Sequence, residues 1–259
     1  MGRPPTADLL AVAREAAQAA GDILRERFGG RQRAVASKSS PTDVVGEADL
    51  AAERAIRAVL AERRPGDALL AEESGASGGD GALRWVVDPL DGTVNYLYGL
   101  PQYAVSVAVE DAEGTLAGVV LDVERGEEWW ATSDGPALHD GAPVRGSTRD
   151  ELARTLLATG FGYDAAVRAA QGETVARLLP EVRDVRRAGS AALDLAWTAA
   201  GRHDAYYERG VQPWDVAAGA LICARAGLEV RTLLERPPQG AGILVAPAAL
   251  IDVLAELVS

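Results

Sequence analysis

A chain of 259 residues with 48% apolar and 25% charged side chains has the make-up of an ordinary globular protein and excludes a disordered one. Its 38 Asp and Glu against 26 Lys and Arg give a net charge of -12, which argues against a nucleic-acid partner and against an anionic membrane surface, since both are bound by clustered Lys and Arg. A lone cysteine, Cys223, excludes an intrachain disulfide, and no apolar run is long enough to span a bilayer, so the expected setting is the cytoplasm with no membrane.

The predicted elements begin with an amphipathic helix over 7–28, where Leu9, Leu10, Ala13, Ala16, Ala17, Ala20, Ile23 and Leu24 recur at helical spacing and Gly29 and Gly30 end it. Residues 37–49 read as a loop with a short extended piece. A second helix follows to about Arg64, turning Leu50, Ile56, Val59 and Leu60 inward, and Pro65-Gly66 stop it. "ALLAEES" (68–74) reads as a buried strand, "GASGGDGA" (75–82) as a flexible loop and "WVVD" (85–88) as a second buried strand. From Tyr103 the pattern is that of an antiparallel meander over 103–110, 116–123 and 127–133, with a turn at Asp111–Gly114 and a turn-rich stretch at 135–144. Beyond residue 150 strands and helices alternate: strand 154–159, helix 165–179, strand 182–187, helix 191–200, strand 204–208, helix 215–226, strands 228–233 and 242–246, and a last helix over 247–258. This order predicts an α/β protein in two halves, an N-terminal α+β half (1–148) and a C-terminal α/β half (149–259).

Several acids sit at the ends of apolar segments instead of on polar faces. Glu72 closes "ALLAE", Asp88 closes "WVVD", Asp91 follows it, Asp215 begins a helix after Trp214, and Asp49 stands at the start of the second helix. An unpaired buried carboxylate costs several kcal/mol, so it takes up a proton or finds a cation. Arg84 is near in sequence, but one guanidinium cannot neutralise them all. Carboxylate and carbonyl oxygens suit a hard cation such as Mg²⁺. With His139 and His203 far apart and no Cys/His cluster, zinc is a poor fit.

The spacing in "DPLDGT" (88–93) is informative. Pro89 fixes a turn that lets Asp88 and Asp91 point to one side, the Leu90 carbonyl becomes available, and Gly92 lets the backbone approach a ligand closely. A helix starting near Thr93 would present N–H groups to a phosphate. Taken singly, each motif has a plainer reading: a surface turn for "DPLDG", a solvated loop for Glu72-Glu73, a helix N-cap for Asp215. Their combination points to metals beside a phosphate.

These blocks resemble the inositol monophosphatase family, of the wider Mg²⁺-dependent, lithium-sensitive phosphatase group. "AEES" (71–74), "WVVDPLDGTVNY" (85–96) and "QPWDVAAGALICARAG" (212–227) carry the match, with "AGSAALDLAW" (188–197) and "DAYYERG" (204–210) in support. The form of "QPWD" and of "TGFGYD" (159–164) is like that of bacterial members. The resemblance implies a layered αβαβα sandwich, commonly a homodimer. It implies Mg²⁺ ligands at Glu72, Asp88, Asp91, Asp215 and the Leu90 carbonyl, and a water oriented by Glu72 and Thr93 with Asp49 holding the Thr93 hydroxyl. It also implies a substrate site at Asp91, Gly92, Thr93, Gly189, Ser190, Ala191, Glu208 and Asp215.

The implied reaction is hydrolysis of a phosphorylated polyol, inositol 1-phosphate first. Histidinol phosphate is the alternative, and a protein-binding scaffold is a third reading of another class. Outside these motifs, Cys223 reads as a core residue, His203 as structural or exposed, Trp129-Trp130 as core or dimer contact, and Arg186-Arg187 as a solvated strand end, with a reach to phosphate as the alternative.

Overall fold

Period-two alternation sorts the strands into layers, and the computed structural model, which describes residues 4–29, 34–37, 44–79 and 81–259, shows how. The chain opens with α1 (Thr6–Arg27), β1 (Ala34–Ser37), β2 (Val44–Gly46), α2 (Glu47–Arg63), β3 (Ala68–Ala71), β4 (Gly75–Ser77), β5 (Arg84–Asp91) and α3 (Thr93–Leu97). The meander follows as β6 (Ala104–Asp111), β7 (Gly114–Asp122), β8 (Glu127–Thr132), β9 (Leu138–His139) and β10 (Ala142–Pro143). The remainder is β11 (Leu156–Thr159), α4 (Ala165–Leu178), β12 (Asp184–Arg186), α5 (Ala191–Ala199), β13 (Ala205–Arg209), α6 (Pro213–Arg225), β14 (Glu229–Leu233), β15 (Gly242–Ala246) and α7 (Ile251–Leu257).

Two large sheets result among the described residues. One has eight strands in the order β10-β9-β8-β7-β6-β5-β3-β4, the other five in the order β12-β11-β13-β15-β14. In β5, Trp85 and Val87 join Val105, Val107 and Val109 of β6 against Leu9, Ala13 and Ile56 of α1 and α2. Val86, between them, points to the opposite face, where Ala108 and Val120 meet Leu195 of α5 and Ala218 and Ile222 of α6. The same middle layer takes Tyr206 and Val245 from the five-stranded sheet. Their neighbours Tyr207 and Leu244 face outward onto Leu178 of α4 and Leu254 of α7. The order of layers is therefore αβαβα, with α5 and α6 enclosed between the sheets.

The middle helices lie close to their neighbours because small residues face them. A β-carbon at Gly118 of β7 would lie 2.8 Å from the Cα of Ala218, and one at Gly219 would lie 2.6 Å from the Leu195 β-carbon. Glycine at these points brings α6 against both β7 and α5.

Some element limits depart from the sequence reading for identifiable reasons. The strand expected to end at Asp88 continues to Asp91, because the ladder with β6 admits an extra residue at Pro89-Leu90 instead of ending. Part of "GASGGDGA" is not loop: Gly75–Ser77 fold back and pair with β3. Within the turn-rich 135–144, Leu138-His139 and Ala142-Pro143 form a small antiparallel pair. The last helix starts at Ile251, after a turn in which the Leu250 N–H donates to the Pro247 carbonyl at 2.8 Å. Of the loop expected over 37–49, residues 38–43 lie outside the described residues; Val44–Gly46 form β2, and α2 starts at Glu47. Cys223 and both Trp129 and Trp130 are core residues, and His203 is buried.

Gly118→Ala is expected to destabilise the fold by about 1–3 kcal/mol through overpacking against α6. Denaturant titration checks this; an unchanged midpoint would mean that α6 is not held by this contact.

Candidate active site

The parallel register of β3 and β5 brings the first two acids together. Ala71 pairs with Val87, and the Glu72 N–H donates to the Val87 carbonyl at 3.2 Å, so Glu72, just past the end of β3, stands beside Asp88 of β5. The bulge that follows carries Pro89, which has no N–H to offer the ladder. The Leu90 N–H instead donates to Oδ1 of Asp88 at 2.9 Å and fixes that carboxylate. Gly92 then takes a φ of 95°. A β-carbon there would lie 2.9 Å from the Gln102 carbonyl, so the turn needs glycine for both space and conformation.

The remaining acids arrive at helix starts. Asp91 Oδ2 accepts from the Ser190 hydroxyl at 2.6 Å and from the Ala192 N–H at 2.7 Å, in the first turn of α5. Asp215 lies in the first turn of α6, and its Oδ2 accepts from the Gln212 N–H at 2.7 Å. Asp49 lies in the first turn of α2, where Oδ2 accepts from the Gly46 N–H at 3.0 Å. Its other oxygen accepts from the Thr93 hydroxyl at 2.8 Å, and that hydroxyl is also 3.0 Å from the Leu90 carbonyl. Partial positive charge at these helix starts favours the carboxylates held there.

Every site residue expected from the sequence except Asp49 lines one pocket of about 570 Å³: Glu72, Asp88, Leu90, Asp91, Gly92, Thr93, Gly189, Ser190, Ala191, Glu208 and Asp215. Asp49 lies behind the wall and reaches the pocket through Thr93. Burial pushes the Asp88 carboxyl well above its usual range, and repulsion from Glu72, Asp91 and Asp215 adds to this. Burial, then Asp91, does the same to Asp215. Burial raises Asp91 to about 6, offset in part by the bonds from Ser190 and Ala192. Asp49 is also raised to about 6 by burial, offset by Thr93.

The carboxylates stand around the pocket instead of closing on one point: among the described residues no three His, Cys, Asp or Glu side chains are drawn into a ready ligand cluster. All the donors are oxygens, several are desolvated, and they repel one another. That donor set fits a hard divalent cation that keeps several waters and takes few protein ligands.

The opposite wall was less legible. Glu208 Oε2 accepts from the Tyr206 hydroxyl at 2.8 Å, and burial raises Glu208 to about 7. A β-carbon at Gly160 would lie 2.0 Å from Glu208 Oε2, so that glycine is what leaves room for the carboxylate. Asn95 Nδ2 donates to the carbonyls of Gln102 at 2.7 Å and Ala188 at 2.9 Å, tying α3 to the segment before α5. Gln171 ties the Gly160–Asp164 loop to β13, accepting from the Gly162 N–H at 2.9 Å and donating to the Arg209 carbonyl at 3.1 Å. Polar side chains such as Asn95 and Gln171 inside helices were the available signal; Gly160 had none, because its role depends on a partner 48 residues away.

A family model described as the inositol monophosphatase family matches residues 6–258. The inositol-1-monophosphatase SuhB of Mycobacterium tuberculosis H37Rv is 49% identical over 242 residues, covering 90% of this chain and 83% of that protein. Nus factor SuhB of Escherichia coli K12 is 41% identical over 221 residues, covering 85% of this chain and 83% of that one. The crystal structure of the extragenic suppressor protein SuhB from Bartonella henselae matches with a TM-score of 0.88 at 33% identity, covering 97% of this chain and 98% of that one.

The raised carboxyls make a pH prediction. Between about 4, the unfolded carboxylate value, and about 6, the folded value of Asp91, the folded chain binds more protons than the unfolded one. Stability in the presence of a chelator therefore falls as pH rises through that window, and it goes on falling above it because Glu208, raised to about 7, and Asp88 and Asp215, raised well above the usual carboxylate range, still hold protons in the folded chain. Asp88→Asn, which removes one repelling charge, is expected to raise the chelated protein's Tm at pH 7, by a margin that shrinks toward pH 4. Melting curves at both pH values check this, and an equal margin at both would contradict it.

Proposed function

The chain belongs to the inositol monophosphatase family of phosphoric monoester hydrolases, and from that premise we propose that it hydrolyses a polyol phosphate, inositol 1-phosphate first, with Mg²⁺ as cofactor. The observation that carries this reading is the meeting of Glu72, Asp88, Asp91 and Asp215 in one pocket with the hydrogen-bonded Asp49–Thr93 pair at its wall. A scaffold protein has no use for a hydroxyl held by a buried acid beside four further acids, so the non-enzymatic reading is disfavoured.

In this reading Glu72, Asp88, Asp91, Asp215 and the Leu90 carbonyl hold Mg²⁺. When bound, the cation supplies positive charge that screens the phosphoryl oxygens and stabilises a leaving alkoxide. The chain's own residues do the positioning. Asp49 accepts the Thr93 proton, which leaves the Thr93 oxygen free to accept from a water, and Glu72 accepts that water's other proton. The water is thereby aimed at phosphorus and kept from tumbling. The main chain of Gly92 and Thr93 borders the phosphate, and Gly189, Ser190 and Ala191 border the alcohol it leaves. Glu208, fixed by Tyr206, accepts hydrogen bonds from the polyol hydroxyls. A ring rich in hydroxyls suits that acceptor; the ammonium of histidinol phosphate suits it too, which keeps that substrate as the alternative. The reading further takes the protein to be a cytoplasmic homodimer, which light scattering of the purified protein checks for assembly.

Phosphate release from inositol 1-phosphate, histidinol phosphate, fructose 1,6-bisphosphate and 3'-phosphoadenosine 5'-phosphate, with Mg²⁺ and with chelator, tests the reading. Mg²⁺-dependent turnover greatest for inositol 1-phosphate is expected. Preference for histidinol phosphate would replace the substrate and leave the site, and no turnover of any of them would overturn the reading.

Loss of a residue that merely orients a metal ligand costs about 10–100-fold, so Asp91→Ala and Asp215→Ala are each expected to lower kcat by more than about a hundredfold. A kcat within a few-fold of wild type would remove that residue from the proposed metal site.

A further inference from the structure

Arg186 and Arg187 follow one another in the chain and come to different ends. The Arg186 guanidinium donates to Oδ2 of Asp184 at 2.6 Å and to the Val185 carbonyl at 3.0 Å, both on the edge strand β12. Arg187 lines the pocket. A β-carbon at Gly189 would lie 2.5 Å from Nη1 of Arg187, so the guanidinium lies across the main chain of Gly189. The Gly189 carbonyl in turn lies 3.3 Å from where a β-carbon at Gly92 would stand. These two close approaches put Gly189 between the Arg187 guanidinium and the Gly92-Thr93 turn, on the pocket lining that all of them share.

Charge balance in the pocket makes this cation conspicuous. Six acids line the wall (Glu72, Asp88, Asp91, Asp164, Glu208 and Asp215). The other arginine of the lining, Arg209, is committed elsewhere: its guanidinium donates to the carbonyls of Leu234 at 2.9 Å, Gly240 at 3.2 Å and Val258 at 3.5 Å. Arg187 feels the fields of Glu208 and Asp194, yet among the described residues no carboxylate or carbonyl accepts a hydrogen bond from it. Its planar fork of donors matches two oxygens of a phosphate.

We infer that Arg187 is a substrate-binding residue that donates to the phosphoryl oxygens of the monoester and to those of the phosphate released from it. This rests on the phosphatase reading and assigns to one side chain the protein's own cationic contact with the anion. Arg187 is exposed and, among the described residues, donates no hydrogen bond, so its replacement is expected to leave the fold intact, and Arg186 beside it is a control of equal charge.

The test compares wild type, Arg187→Gln, Arg187→Lys and Arg186→Gln with saturating Mg²⁺. In Arg187→Gln both the KM for inositol 1-phosphate and the inhibition constant for inorganic phosphate are expected to rise about tenfold, as for loss of one charge-assisted hydrogen bond, with kcat little changed. Arg187→Lys keeps the charge without the fork and is expected to fall between. Arg186→Gln is expected to match wild type. Unchanged constants in Arg187→Gln, or an equal rise in Arg186→Gln, would overturn the assignment. Calorimetric titration of inorganic phosphate into the same Mg²⁺-containing proteins needs no turnover. If the wild type hydrolyses no monoester, the phosphatase reading fails, and the calorimetry still decides whether Arg187 binds phosphate.

Discussion

The rest of the structure depends on mutual repulsion among carboxylates held at one pocket. Three of them are oriented by the main chain, Asp88 by the Leu90 N–H, Asp91 by Ala192 and Asp215 by Gln212, and Asp49 behind the wall is oriented by Gly46. These bonds fix direction without cancelling charge. The raised Asp88 and Asp215 carboxyls record what remains uncompensated, since burial and neighbouring acids both favour the protonated form. A fold that gives up stability to keep like charges together is arranged for something that binds them.

The layers supply that arrangement. The parallel pair β3–β5 delivers Glu72 and Asp88, and the bulge at Pro89 carries the chain on to Asp91. The enclosed helices α5 and α6 bring Ser190 and Asp215 from the other side of the pocket, and both start toward it. Close packing at Gly118 and Gly219 is therefore more than core filling, because it sets where the first turn of α6 presents its acid. The distant sheet contributes the other wall, where Tyr206 fixes Glu208 and Gly160 makes room for it.

Much of this was legible in the sequence because it is local. An acid ending an apolar run, a proline between two aspartates, and a glycine-threonine pair are read within a few residues, and the order of strands and helices follows from period alone. What escaped depends on partners distant in the chain. The pairing of Gly75–Ser77 with β3 requires knowing that the chain folds back there, in a stretch whose glycines signal a loop. The strand through Pro89 breaks the usual rule because a bulge absorbs the missing N–H. Gly160 matters only because Glu208 is opposite, and Arg186 and Arg187 look alike until Asp184 is seen to take the first and not the second.

Acids that face one pocket and repel one another fit a divalent cation held among them. The most direct measurement of that binding is the thermal midpoint of the chelated protein as Mg²⁺ is added, for wild type and for Asp215→Asn. A ligand that binds only the folded state stabilises it in step with its concentration, so the wild-type midpoint is expected to climb with Mg²⁺ and the variant's to stay nearly level. Equal curves for the two proteins would contradict the account, because the acids would then face one another for some other reason.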